Sequence, residues 1–178
     1  MSNNLSFTLR PFTKDDVESI AYNANNRKIW EGVRDIIPYP YSENDAEIFI
    51  EYAMSAQKEI VKAIDVDGKA VGVIGLHLKE DVFKLNAEIG YWIGVDYQGK
   101  GIVTKAIAQI VSLVFNEHKL LRVYAEVFSN NSASARVLIK NGFIPETRLK
   151  DAVVKDNQIV DLLIFSKINS NFNKKIYR

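Results

Sequence analysis

The chain has 178 residues, 23 basic and 22 acidic side chains, a formal charge of +1 and no cysteine. That length suits one domain and buries roughly 70% of the unfolded surface, so neither a disulfide nor a structural metal is required to hold a core. The missing cysteines exclude a disulfide scaffold, a thiolate zinc site and a thiol nucleophile, and they fit a reducing compartment, so a cytoplasmic location is expected. Balanced charge gives no global pull toward nucleic acid or anionic lipid. Met1 to Leu5 lacks a basic n-region, and no run of about 18 apolar residues occurs, so neither a signal peptide nor a membrane span is expected.

Leu5 to Arg10 reads as a short strand ended by Pro11, and Thr13 or Asp15 offers an N-cap for a helix to about Asn25. Arg27 to Ser42 is irregular and aromatic, and its prolines argue against a regular element. Ser42 or Asn44 caps a second helix to about Ala56, with Ala46, Phe49, Ile50 and Ala53 on one face. Strands from Glu59 to Asp65 and from Ala70 to Leu78 flank Asp67-Gly68 and form a hairpin. Asn86 to Val95 is a further strand, Ile102 to Asn116 a helix, Leu120 to Phe128 a strand, Ser132 to Asn141 a helix and Val160 to Ser166 a last strand. Asn169 to Arg178 is polar and is expected to be a poorly ordered tail. The pattern is a mixed α/β sheet with no internal repeat or linker.

Gln98-Gly99-Lys100-Gly101 joins an apolar strand to an amphipathic helix whose Val103, Ile107, Ile110 and Val114 share a face. Free N–H groups and the positive end of the helix dipole suit this turn to a phosphate. Gly94 to Lys100 fits the start of an NTPase phosphate loop, but Gly101 stands where Ser or Thr would hold Mg²⁺. A dinucleotide fingerprint would need glycine where Thr104 stands.

The third reading is the pyrophosphate turn of the GNAT acetyltransferase superfamily, which Gln98-x-x-Gly101-x-Val103 resembles, with Val103 in place of the usual small residue. Further segments resemble the same family in the same order. Leu9-Arg10-Pro11 with Asp15-Asp16 is similar to its opening strand and helix. Pro38-Tyr39-Pro40-Tyr41 before Asp45-Ala46, Glu88-Ile89-Gly90-Tyr91-Trp92-Ile93, and Asn131 through Leu138 with Lys140 and Gly142-Phe143 resemble its RimJ/RimL-type branch. The resemblance implies a GNAT fold: a mixed, mostly antiparallel sheet of about six to seven strands with helices on both faces. It spans one domain over residues 1–168, with 169–178 as the tail.

Acetyl transfer from a thioester needs an unprotonated amine, which is scarce at neutral pH. Strand alternation puts Glu88, Gly90, Trp92 and Gly94 on one face, leaving space beside a carboxylate, so Glu88 is the candidate base and Glu126 on the next strand the fallback. An exposed strand carboxylate is the plainer reading of either. By resemblance, backbone of Ile93, Gly94 and Val95 pairs with the pantetheine arm of acetyl-CoA, and Gln98, Gly99, Lys100, Gly101, Ile102, Val103 and Thr104 take its pyrophosphate. Asn131 reaches the cofactor by the same analogy and is independently explained as an N-cap. The tyrosine acid of many family members is replaced by Leu138; the branch proposes a serine, and Ser134 matches it. The two histidines, His77 and His118, form no metal constellation, and no metal is expected.

The acceptor is expected along the aromatic loop, at Trp30, Arg34, Tyr39 and Tyr41, as a protein N-terminus or a small-molecule amine such as a polyamine. Partners among nucleic acids or membranes are not expected, and a homodimer is compatible with the sequence. A non-catalytic acetyl-CoA sensor and an unrelated nucleotide-binding domain are the competing functions.

Overall fold

A computed structural model describes residues 5–56, 59–173 and 175. Strand β1 (Thr8–Arg10) is followed by a 3-10 turn at Lys14–Asp16, helix α1 (Val17–Ala24) and a one-turn helix α2 (Arg27–Trp30). Helix α3 (Glu43–Ser55) leads to β2 (Glu59–Val66), β3 (Lys69–Leu78) and β4 (Asn86–Ile93). A 3-10 turn at Val95–Tyr97 precedes α4 (Ile102–Asn116), β5 (Arg122–Phe128), α5 (Ser132–Lys140), β6 (Ile144–Lys155) and β7 (Gln158–Ile168). The expected helices and the hairpin therefore stand, with ends moved by a few residues. Two parts of the sequence reading change. A single helical turn interrupts the aromatic loop, and β6 was not foreseen.

Among the described residues, seven strands form one sheet in the order β1-β2-β3-β4-β5-β7-β6. Every pairing is antiparallel except β4 with β5. The β2–β3 turn uses Asp67 and Gly68, both at positive φ (53° and 81°), and the Asp65 carboxylate accepts the Gly68 N–H at 2.9 Å. Paired positive φ values match the right-handed twist of a hairpin. Ser42 caps α3 reciprocally: its hydroxyl accepts from Asp45 N at 3.2 Å, and Asp45 accepts from Ser42 N at 2.8 Å.

The two faces of the sheet are packed by different helices. Ile102, Ile107, Ile110 and Val114 of α4 and Leu138 of α5 meet Ala87, Ile89, Ile93, Val123 and Ala125 in one core. Ile20 and Ala24 of α1 and Ala46 and Ile50 of α3 meet Ala63, Ala70 and Val73 in the other. The second core covers β2 and β3 and thins out beyond Trp92, which leaves that face of β4 and β5 open for a site. Strand β6 lies at the edge of the sheet and is exposed along most of its length, so it carries no buried stripe for a periodicity argument to detect. Of the expected tail, Asn169 donates from its side chain to the carbonyls of Phe115 and Leu120 (3.4 and 3.1 Å), so the packed body reaches this residue. Residues 174 and 176–178 lie outside the described set.

Candidate active site

The site begins where two strands part. Strand β4 pairs with β3 from Ile93 to Ala87, but with β5 only from Asn86 to Glu88. Gly94 N–H bonds Val71 O at 2.8 Å and Asn86 O accepts from Lys79 N at 3.0 Å, so the even-numbered residues of β4 spend their main-chain groups on β3. Alternation then directs the N–H and C=O of Tyr91 and Ile93 toward the gap beside β5. Of the three residues expected to meet the pantetheine arm, Ile93 faces this opening, whereas the Gly94 amide is occupied. A groove of about 1030 Å³ runs from the gap across both sides of the strand end.

One wall is the turn before α4. Gly99 and Gly101 both sit at positive φ (72° and 77°), with nothing within 4 Å of a Cβ at either position, so backbone conformation is what demands glycine there. Lys105 N to Gly101 O is the first bond of the α4 ladder, which leaves the N–H groups of Ile102, Val103 and Thr104 ahead of it as anion donors. Val103 turns its side chain toward the core and Ile102 is fully buried, so the large residue at 103 fits without crowding the turn's outer surface. The Gln98 side chain donates to Ile93 O at 3.3 Å and ties the turn to the end of β4. Lys100 Nζ rests 5.5 Å from the centre of the Tyr97 ring.

The floor is built by register. Glu59 pairs with His77, His77 with Glu88 and Glu88 with Tyr124, so four polar side chains form a row across β2, β3, β4 and β5. Val73 and Trp92 pair two rows away, and between the rows lie Gly75 and Gly90, also a pair. A Cβ at Gly90 would meet nothing within 4 Å. The trough between the rows therefore has backbone for its base, a carboxylate on one side and an indole on the other. Gly94 is glycine for another reason: a Cβ there would lie 1.9 Å from Asn23 Oδ1.

Glu88 is half-buried and multiply bonded. Lys79 Nζ and Tyr124 OH donate to its Oε2 at 3.0 and 3.3 Å, and Arg34 pairs with its Oε1. The same Arg34 nitrogen reaches Glu126 Oε2 at 2.9 Å. Burial pushes the Glu88 carboxyl upward, but the hydrogen bond from Lys79 and the charges of Arg34 and Lys79 outweigh it and hold the group below its ordinary value. The carboxylate is therefore ionised at neutral pH. Glu126, the fallback base, lies within reach of the same cation.

On the opposite face of β4, Tyr91 OH and Ser134 Oγ are 2.8 Å apart, and burial raises the Tyr91 phenol to about 12. Asn131 caps α5 by accepting from Ser134 N at 3.1 Å, and a Cβ on Gly32 would lie 2.9 Å from its Nδ2. The aromatic loop divides. Arg34 lines the groove, but Trp30, Tyr39 and Tyr41 do not. Trp30 lies under the Lys155 ammonium (3.7 Å to the ring) and beside Tyr39, while Tyr41 is buried and donates to Asp45 O at 3.2 Å. These aromatics dock the loop. The sequence reading missed Tyr91, Lys79, Tyr124 and Gly75; alternation singles out Tyr91, whereas the others require the strand register. Among the described residues no group of three or more His, Asp or Glu could hold a metal ion, and no helix is long and apolar enough to cross a membrane.

Parted β4 and β5, a glycine turn and a following helix define a class, and comparison with known proteins names it. The chain belongs to the GNAT acetyltransferases: the family model described as "Acetyltransferase (GNAT) domain" matches residues 6–144. It is similar to the "Putative ribosomal N-acetyltransferase YdaF" of Bacillus subtilis, at 35% identity over 56% of this chain and 54% of the relative. The "Ribosomal-protein-serine acetyltransferase" of Escherichia coli is 30% identical over 57% of this chain and 56% of its own. These matches span about half the length of the two relatives. The structure of the microcin C7 self-immunity acetyltransferase MccE, in complex with acetyl-CoA and AMP, superposes with a TM-score of 0.80 at 26% identity, covering 94% of both chains.

Proposed function

We propose that the chain transfers the acetyl group of acetyl-CoA to a primary amine by direct attack in a ternary complex. The observation that carries this reading is the gap between β4 and β5, because it brings unpaired main-chain donors of Tyr91 and Ile93 within one groove with an ionised carboxylate, Glu88. The residues present fit acetyl-CoA. Tyr91 and Ile93 offer a strand edge to the pantetheine arm, and the α4 N–H groups of Ile102, Val103 and Thr104, with Gly99 and Gly101 before them, suit its pyrophosphate. The bound thioester supplies an electrophilic carbonyl and a thiolate leaving group.

Glu88 receives the acceptor as an ionised carboxylate and takes a proton from its ammonium, so that a neutral amine attacks the thioester. Ser134, hydrogen-bonded to Tyr91, is the hydroxyl suited to return a proton to the departing sulfur. The acceptor is a protein N-terminal α-amine or a small-molecule amine, polyamines included, and the reaction takes place in the cytoplasm. The ribosomal-protein activity in the name of the E. coli relative supports the first of these acceptors.

Thermal stability with acetyl-CoA, CoA, ATP and NAD in parallel tests the cofactor, since a ligand that binds only the native state raises it. Acetyl-CoA and CoA are expected to stabilise; stabilisation by ATP or NAD alone would end the reading. Thiol release against peptides, polyamines and amino compounds tests the reaction, and its absence with every amine favours a CoA sensor. Glu88→Gln is expected to lower turnover by about a hundredfold with acetyl-CoA stabilisation unchanged; normal turnover would remove Glu88 from the mechanism.

A further inference from the structure

The charges above Gly75 and Gly90 describe a site already filled by the protein itself. One nitrogen of Arg34, Nη2, donates to Glu88 Oε1 and, at 2.9 Å, to Glu126 Oε2. Lys79 Nζ holds the other Glu88 oxygen at 3.0 Å. A carboxylate from β4 and one from β5 thus converge on a single cationic N–H donor where the two strands separate. A primary ammonium has the same charge and enough N–H donors on one nitrogen to reach both carboxylates. The Arg34 side chain is 58% exposed, comes from a surface turn, and among the described residues has only these two carboxylates as hydrogen-bond partners. Because its own end of the pair is exposed, it can leave the groove and be hydrated at modest cost, with Lys79 remaining on Glu88.

We propose that Arg34 Nη2 occupies the subsite of the acceptor's ammonium, so that the acceptor binds by displacing Arg34 from between Glu88 and Glu126. The inference rests on the reading that an amine acceptor meets Glu88. Arg34 then sets specificity by competition and not by contact. An aliphatic amine arrives protonated at neutral pH and replaces the charge it expels. A neutral nucleophile of the same shape would leave two neighbouring carboxylates short of a counter-charge, so it binds poorly.

The exchange also prepares proton transfer. With Arg34 in place, a proton on Glu88 would sit beside a guanidinium. Once Arg34 has left, the ammonium can give its proton to Glu88 and become the neutral nucleophile, with Lys79 as the remaining cation on that carboxylate. The groups facing Glu88 are Arg34 from the loop, His77 from β3, Lys79 from the β3–β4 connection, and Tyr124 and Glu126 from β5.

Arg34→Gln and Arg34→Lys in the full chain test the exchange, with n-butylammonium as a probe whose binding is measured calorimetrically with and without CoA. The glutamine variant is expected to bind the probe about fivefold more tightly than the parent, the factor available from a contact of exposed ion-pair strength. The lysine variant should fall between them. With an active acceptor, its KM should drop by a similar factor while the KM for acetyl-CoA stays constant. Equal or weaker probe binding by Arg34→Gln would overturn the proposal, because Arg34 would then be inert or would hold the acceptor itself. Tighter probe binding without thiol release from any amine would instead sink the transferase reading and leave the exchange standing. Stabilisation of both variants by CoA checks that they are folded.

Discussion

Two glycines of β4 and its end illustrate how unlike the demands on one residue type can be. Gly94 lies against Asn23, a buried side chain that also donates to Ser19 O at 2.8 Å, so an added methyl has nowhere to go. Gly94→Ala is expected to lower stability by about 2 kcal/mol through overpacking, measured by denaturant unfolding. Gly90 has open space above it, so Gly90→Ala should leave stability within about 0.5 kcal/mol of the parent while raising the acceptor KM, because the methyl enters the trough. Strand alternation in the sequence placed both glycines on the Glu88 face, and it placed Glu88 there too. It could not show that Asn23 presses on one glycine and solvent on the other. Nor could it show the cations around Glu88, since Arg34 is 54 positions away and comes near only through the tertiary fold.

At the level of elements, capping and periodicity located α1, α3, α4 and α5 because each buries a face and several carry their start signals locally, whereas the one-turn α2 was too short for either signal. Ser42 and Asn131 do cap α3 and α5. The β6 strand escaped notice because its register shifts between Pro145 and Thr147 and again between Leu149 and Val153, and its side chains stay in solvent. It nevertheless matters to the site. Its last residue, Lys155, is buried, pairs with Asp35 and lies over Trp30, while Asp156 in the following turn pairs with Arg27. The β6–β7 hairpin thereby holds the loop that carries Arg34. Lys155→Gln removes both an ion pair and a cation–π contact, the latter worth about 1 kcal/mol. Faster proteolysis or hydrogen exchange in residues 27–35, with α4 unaffected, is the expected outcome; an unchanged loop would show that Arg27 and Asp156 suffice.

Over the whole molecule, the opening strand is joined to the hairpin by charge. Arg10 donates to both oxygens of the buried Asp16 (2.8 and 2.6 Å) and to Asp65 at 2.7 Å, bridging β1, the turn before α1 and β2. Burial pushes the Asp16 carboxyl upward, yet Arg10 and the Thr13 N–H hold it below the ordinary range. A depressed carboxyl pKa stabilises the fold fully above the unfolded value, near pH ~4, and loses that contribution as pH falls toward the folded value. Asp16→Asn should therefore cost about 3 kcal/mol near neutral pH, and its deficit should shrink in acid-unfolding curves below pH ~4. A deficit independent of pH would assign the cost to packing alone. The sheet's mixed, mostly antiparallel make-up was legible as a family resemblance, but its strand order was not, and the consequence for the site lies in where the pairing stops. Because β4 pairs with β5 only from Asn86 to Glu88, the amides of Tyr91 and Ile93 have an open edge beside them in the free protein. They are a built-in reporter: in hydrogen–deuterium exchange these amides should exchange faster than their even-numbered neighbours, and slow selectively when CoA is added.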